Sequence, residues 1–85
     1  MVRQLGSPLH EELRRLLIER RERAKISQAE LARRLHVSQR TISKIETGEK
    51  RVTVVELIEL GEALGFDPRA AVARVMKRQN RSVTS

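Results

Sequence analysis

Two predicted helices that meet across a very short turn limit the fold of this chain more than any other feature. The first opens at Ser27 with Glu30 three residues later, which is the pattern of a capping box; the second has Ser38 as its N-cap and ends at Gly48. Only residues 36–37 are left to turn the chain between them. A connection this short excludes an antiparallel helical hairpin and predicts two helices that cross steeply.

Start and stop signals predict three more helices around this pair. Each begins with a capping residue, and two of the three have proline at the first helical position. The boundaries are Ser7-Pro8 to near Ala24, the capping box Thr53–Glu56 to Gly65, and Asp67-Pro68 to about Gln79. Because no segment alternates polar and apolar residues for long enough to form a strand, the predicted fold class is all-α, a compact five-helix domain.

The apolar residues of these five segments recur at helical spacing and predict one small core. In chain order they are Leu9, Leu13, Leu16 and Leu17; Leu31, Ala32 and Leu35; Ile42 and Ile45; Val54, Leu57, Ile58 and Leu64; and Ala71, Val72, Val75 and Met76. The predicted division is a flexible segment at 1–6, a domain at 7–78 and a polar, frayed tail at 79–85.

The charge is high and unevenly distributed. Eighteen Lys and Arg residues against 11 Asp and Glu give a net charge of +7 and a pI of about 11.3. Residues 53–67 hold four acidic and no basic side chains, whereas residues 68–85 hold five basic and no acidic ones. The acidic stretch should face away from a polyanionic partner, although a merely solvated helix surface explains it equally well.

Composition excludes several function classes. There is no cysteine, which excludes disulfides, thiolate catalysis and zinc fingers, and the longest apolar run, Ala70–Ala73, cannot span a bilayer. We therefore expect a cytoplasmic protein. The single aromatic residue, Phe66, argues against stacking of single-stranded bases and leaves double-stranded DNA as the nucleic-acid candidate. His10 and His36 lack a matching ligand set or a nucleophile at catalytic spacing, so no metal, cofactor or enzymatic activity is predicted.

The stretch Arg21–Phe66 resembles the lambda-repressor-like, or Cro/repressor, class of bacterial and phage helix-turn-helix regulators. The matching text is Ser27-Gln28-Ala29-Glu30-Leu31-Ala32, then Val37-Ser38-Gln39-Arg40-Thr41-Ile42-Ser43-Lys44-Ile45-Glu46-Thr47-Gly48, then Leu60 to Gly65. The resemblance implies a helix-turn-helix at about 28–47 that binds operator DNA, generally as a two-fold dimer. One departure is His36, which stands where members of the class often have glycine, so either His36 takes a positive φ or the turn differs.

The leading, outward part of the third helix carries the proposed base-reading residues, Gln39, Arg40, Ser43 and Lys44. A glutamine amide can pair with the edge of adenine, and Arg or Lys can donate to N7 and O6 of guanine. For Arg40 and Lys44 the alternatives are phosphate contact or simple solvation.

A second set is expected to contact phosphates or position the helices: Gln28, Ser38, Thr41, Lys50, Arg51, Arg23 and Lys25. By resemblance, Gln28 contacts a phosphate and braces Gln39, and the basic pair after Gly48 lies along the DNA backbone. Gln28 can equally be an ordinary exposed residue of the first turn, and Thr41 can merely support its own helix.

Arg21 and Glu46 match the positions of an arginine and a glutamate that pair in the same class, and the resemblance implies a structural ion pair between the first and third helices. Two independent surface charges are the alternative.

The sequence predicts a transcriptional regulator, a repressor that occludes a promoter as a homodimer. An antitoxin with a toxin partner and a protein-interaction module that does not bind DNA remain alternatives. The fifth helix either closes the core or forms the two-fold interface. Its basic residues can contact phosphates or an acidic partner protein; they are Arg69, Arg74, Lys77, Arg78 and Arg81.

Overall fold

A computed structural model describes the backbone of residues 7–84 and the side chains of residues 7–78. Five helices follow one another: α1 (Pro8–Arg23), α2 (Gln28–Leu35), α3 (Gln39–Thr47), α4 (Val54–Leu64) and α5 (Pro68–Thr84). No strand occurs within residues 7–84. The all-α prediction with a helix-turn-helix near 28–47 is confirmed.

All five helices begin at the predicted caps. In each case a side-chain oxygen accepts a hydrogen bond from a backbone N–H two or three residues later, which satisfies one of the unpaired donors of the first turn. The bonds run from His10 to Ser7, Glu30 to Ser27, Thr41 to Ser38, Glu56 to Thr53 and Arg69 to Asp67, at 2.9–3.2 Å. Local sequence therefore fixes where each helix starts.

Only one of the two predicted capping boxes is complete. At the start of α4, Thr53 and Glu56 exchange both hydrogen bonds. At the start of α2 the Glu30 carboxylate instead accepts from Arg33 at 2.6 Å and Arg34 at 2.9 Å. These two guanidinium groups lower the pKa of Glu30 to about 2. The second half of this box was predicted wrongly because charged donors one turn later compete better than a neutral backbone N–H.

The turn between α2 and α3 is closed by histidine in the left-handed conformation. His36 has φ 58° and ψ 41°, and its backbone N–H bonds back to α2. Histidine is among the non-glycine residues that enter this region more readily. The departure from glycine at this position is therefore accommodated by a positive φ.

The core contains residues from all five helices and the loop before α5. Its buried members are Leu16, Leu17, Leu31, Ala32, Ile42, Ile45, Leu57, Leu60, Phe66 and Ala71. Four residues that we expected on buried faces are exposed instead, namely Val54, Ile58, Val72 and Met76. On α4 the buried row is Leu57, Leu60 and Gly61, so the helix is rotated away from the predicted face.

α5 is longer than expected, since its backbone stays helical to Thr84 where a polar tail from Gln79 was anticipated. No glycine or proline follows Pro68, so no residue in this segment forces the helix to stop. The expected flexible segment at 1–6 lies outside the described residues.

Gly61 lets α4 approach the start of α5 closely. A Cβ at this position would lie 2.7 Å from the backbone oxygen of Phe66 and 3.0 Å from Cδ of Pro68. Neither group is the end of a flexible side chain, so the contact cannot be relieved without moving α5 relative to α4.

The third helix is held against α1 by a buried carboxylate. Glu46 is 8% exposed. Its Oε2 accepts from Nε of Arg21 at 2.7 Å, and its Oε1 accepts from Nη2 of Arg21 at 3.2 Å and from Nε2 of Gln28 at 2.8 Å. The carboxylate raises the pKa of Arg21 by accepting these hydrogen bonds. Arg21 also donates to the backbone oxygen of Ile26 at 2.9 Å, which fixes the loop before α2.

A second arginine of α1 contacts the same end of α3. Nη1 of Arg14 donates to the backbone oxygen of Glu46 at 2.6 Å, while its Nε and Nη2 bind the Glu11 carboxylate. The carbonyl is one of the unpaired acceptors in the last turn of α3, so Arg14 caps that helix from outside. Arginines from two turns of α1 thus hold the last turn of α3 in place, while Gly48 in the left-handed conformation ends the helix.

Replacing Arg21 with alanine should lower the free energy of unfolding by about 3 kcal/mol, because Glu46 would remain buried with its charge partner removed. Chemical denaturation gives this value. Arg15→Ala removes an exposed arginine of the same helix and should change stability by less than about 0.5 kcal/mol. The double variant Arg21→Met, Glu46→Leu should regain at least half of the loss. An Arg21→Ala protein as stable as the Arg15→Ala control would contradict a structural role for the pair.

Gly61→Ala should destabilise the protein by about 1–3 kcal/mol, because the new methyl group overlaps backbone rather than a movable side chain. Thermal unfolding of this variant can be compared with Ala63→Gly, which changes the same two residue types within α4 in the opposite direction. Intrinsic helix propensity alone would make Gly61→Ala stabilising by up to about 1 kcal/mol, so the sign of the shift decides between the two effects.

Candidate nucleic-acid interface

The four proposed base-reading residues share the outward face of α3. Gln39 and Arg40 are exposed, and Ser43 and Lys44 are half-buried. None of their side chains makes a hydrogen bond or ion pair with another residue whose side chain is described. Their donors and acceptors are therefore available to an external partner.

The opposite face of α3 explains why these side chains point outward. Ile42 and Ile45 are buried in the core, and Glu46 is held by its three hydrogen bonds. These residues lie on one side of the helix and fix its rotation about its own axis. The polar row beginning at Gln39 is thus presented by a rigid element.

Gln28 lies at the first position of α2, and its side chain contacts Glu46 of α3 rather than Gln39 at the start of that helix. Its amide nitrogen donates to Oε1 of Glu46 at 2.8 Å. Its side chain therefore braces α3 by bonding to Glu46 of the ion pair, not by bonding to Gln39 as the resemblance implies. The amide oxygen makes no hydrogen bond to a described residue.

Ser38 and Thr41 are engaged with one another at the start of α3. The Ser38 hydroxyl accepts from the backbone N–H of Thr41 at 3.2 Å and lies 3.1 Å from its Oγ1. Both hydroxyls support the first turn of the helix. In this arrangement Ser38 acts as a cap.

The two basic residues after Gly48 differ in their environment. Lys50 donates to both carboxylate oxygens of Glu56 at 2.8 and 2.9 Å, which ties the loop to the start of α4. Burial raises the pKa of Glu56, but hydrogen bonds from Lys50 and Thr53 outweigh it and leave the pKa below its ordinary value. Arg51 is exposed, and its side chain has no partner among the described residues.

Arg23 and Lys25 lie at the end of α1 and in the loop that follows. Both are exposed, and Lys25 has a positive φ of 61°. Neither side chain makes a hydrogen bond or ion pair within residues 7–78. They can therefore meet an anion that approaches this end of α1.

The basic residues of α5 are less available than the sequence suggests. Arg74 donates to Glu12 at 2.8 Å and to Glu19 at 2.7 Å, both on α1. These carboxylates raise its pKa, with Glu19 the stronger cause. Arg69 pairs with Asp67 at 3.2 Å, whereas the side chain of Arg81 lies outside those described.

Sequence reasoning missed two residues, Arg14 and Thr47, whose side chains donate to backbone oxygens in the last turn of α3. Arg14 was not singled out, although it lies two helical turns before Arg21 on α1 and so occupies the same face. Thr47 is exposed next to the polar row, but its hydroxyl donates to the backbone oxygen of Lys44 at 3.2 Å. The seven-residue spacing of the two arginines was the available signal for Arg14.

The described residues include no group of three or more His, Asp or Glu side chains placed to hold a metal ion. No helix in this part of the chain is both long and apolar enough to cross a membrane.

Comparison with known proteins places this geometry in a family. A helix-turn-helix family profile matches residues 17–70, more than half of the chain. A solved structure described as an XRE-family like protein from Pseudomonas syringae pv. tomato str. DC3000 superposes with a TM-score of 0.76 at 36% sequence identity, covering 81% of this chain and 84% of that chain. No curated protein matches the sequence. The chain belongs to the XRE-type, lambda-repressor-like helix-turn-helix family of DNA-binding transcription regulators.

Proposed function

We propose that this protein binds specific sites in double-stranded DNA and represses transcription by covering a promoter. The observation that carries the proposal is the polar row of α3, whose side chains are unengaged although the helix itself is anchored by buried contacts on its other face. A helix of this kind fits the major groove, where each base pair presents a distinct pattern of donors and acceptors. We assign the protein no catalytic step.

Base reading is assigned to four side chains of α3. Gln39 can form two hydrogen bonds with adenine, Arg40 and Lys44 can donate to guanine, and Ser43 is short enough to contact either. Their position in the first two turns of α3 matches the part of a recognition helix that contacts base edges.

Phosphate contact is assigned to exposed cations that flank the row. Arg51, Arg23 and Lys25 are unpaired among the described side chains and can neutralise the DNA backbone. Gln28 donates one amide N–H to Glu46 and so holds the angle of α3, and its second amide N–H can donate to a phosphate. Ser38 and Thr41 also act by positioning the helix, and Lys50 reaches a phosphate only if it leaves Glu56.

A two-fold dimer completes the proposal. A single head makes a small contact, and specific binding at physiological salt usually requires two half-sites about 34 Å apart. Such a complex acts in the cytoplasm, at the nucleoid.

Selection of bound sites from a pool of random duplexes tests the proposal directly. The expected product is a symmetric motif whose halves are spaced by about one helical turn. An asymmetric motif would contradict the dimer, and recovery of unselected sequence at every salt concentration would contradict specific recognition altogether.

Gln39→Ala and Lys44→Ala should each weaken binding to the selected site by about 1–3 kcal/mol and relax the preference at one base pair. Binding to a scrambled duplex should change little. Fluorescence anisotropy with both duplexes measures the two effects. An equal loss on cognate and scrambled DNA would assign the residue to phosphate contact instead.

Arg51→Ala should weaken binding to all sequences alike and lower the slope of log affinity against log salt by about one, because one phosphate contact is lost. Titrations at several salt concentrations give the slope. Arg15→Ala removes the same charge from an exposed arginine of α1 that is not assigned to the phosphate set, and its slope should equal that of the wild-type protein. Identical slopes for both variants would remove Arg51 from the phosphate set.

A further inference from the structure

The loop between α3 and α4 contains two neighbouring cations in opposite states. Arg51 is exposed, and its side chain has no partner among the described residues. The Lys50 side chain is 33% exposed, and three acceptors lie within 3.1 Å of its Nζ: both carboxylate oxygens of Glu56 and the backbone oxygen of Arg51. Because a lysine ammonium has three N–H groups, its hydrogen-bonding capacity is filled within the protein.

The backbone of Lys50 is attached to α3, while its ammonium is attached to α4. The backbone N–H donates to the carbonyl of Lys44 at 3.1 Å, in the last turn of α3. The ammonium binds Glu56 in the first turn of α4. The position of residue 50 is therefore fixed beside α3, and a carboxylate of α4 determines what its charge contacts.

The Glu56 carboxylate presents to Lys50 what a DNA phosphate would present, a negative charge and oxygen acceptors. Burial raises the pKa of Glu56, but the hydrogen bonds from Lys50 and Thr53 keep it below its ordinary value, so the group is charged at neutral pH. Its Oε1 also accepts from the backbone N–H of Thr53 at 2.9 Å. The capping box of α4 thus holds the carboxylate in place for Lys50.

Release of Lys50 would leave this carboxylate without its countercharge. Glu56 is only 32% exposed, so water would replace the lost ion pair incompletely. A phosphate that captures Lys50 must therefore compensate both for three hydrogen bonds and for an unpaired, partly buried charge. Arg51 can contact a phosphate at no such cost.

We propose that Glu56 keeps Lys50 from contacting DNA and so limits the affinity of the protein for every duplex, whatever its sequence. The proposal rests on the DNA binding assigned above and concerns the phosphate contacts of that same surface. While Lys50 and Glu56 are paired their charges cancel, so of the two cations in this loop only Arg51 neutralises a phosphate. The salt dependence of binding then includes Arg51 but not Lys50.

Glu56→Gln tests the proposal in the full-length protein. Its amide oxygen can still accept from Thr53, which preserves the start of α4, but the charge that holds Lys50 is lost. Fluorescence anisotropy at low salt should show affinity at least about threefold higher for the selected and the scrambled duplex alike. The slope of log affinity against log salt should steepen by about one for each bound copy, because one more phosphate is neutralised.

Glu59→Gln is the matched control for the loss of a negative charge. It removes a carboxylate from the same helix that is exposed and has no partner among the described residues. Because this change releases no cation, its slope should equal that of the wild-type protein.

A second test asks whether the effect depends on the lysine. Lys50→Met in the wild-type background should leave the slope unchanged, because the paired ammonium does not contact phosphate. Lys50→Met combined with Glu56→Gln should cancel the steeper slope. This double variant also lacks the ion pair, so it corrects for any loosening of the loop, and thermal unfolding of each variant verifies that it is folded.

Three results would overturn the proposal. The first is a slope that Lys50→Met already lowers in the wild-type background, since Lys50 would then contact DNA despite Glu56. The second is a Glu56→Gln protein whose slope equals that of the Glu59→Gln control, and the third is a double variant that keeps the steeper slope. In all three cases the wild-type protein still binds DNA, whereas a wild-type protein that binds neither duplex contradicts the proposed function itself.

Discussion

The buried carboxylate of Glu46 is the contact on which the position of the recognition helix depends. α3 has nine residues, too few to be stable alone in water, and its direction must come from its neighbours. Apolar packing by Ile42 and Ile45 keeps the helix against the core but is not directional. The hydrogen bonds from Arg21 and Gln28 are directional, so they add a fixed angle to that packing.

Burial of an ion pair at this place lowers the stability that the site could otherwise contribute, because both charges lose much of their hydration. An apolar pair would pack there at lower cost. The network nevertheless joins three helices through one side chain, since the Glu46 carboxylate of α3 accepts from Arg21 of α1 and Gln28 of α2. Placement of α3, and not stability, is the reason we infer for the arrangement. It connects the core to the orientation of the polar row on α3, which we propose reads DNA.

Local signals in the sequence predicted most of the fold and failed where two partners compete for one group. Helix starts were predictable because a cap acts within three residues, as at Ser38 and Thr53. The bonds of Glu30 and Lys50 were not, because each has a choice of partners that only the assembled chain decides. The exposure of Val54 and Ile58 was missed for a related reason: hydrophobic spacing gives the period of a helix, while the face that is buried depends on where α5 packs.

The same limit applied to the candidate site. The outward row of α3 followed from helical spacing and the buried Ile42, whereas the contact of Gln28 with Glu46 depends on how α2 crosses α3. The exposed cations near α3 are the groups we propose for phosphate contact, whereas the exposed carboxylates of Glu59 and Glu62 on α4 would repel the same phosphates.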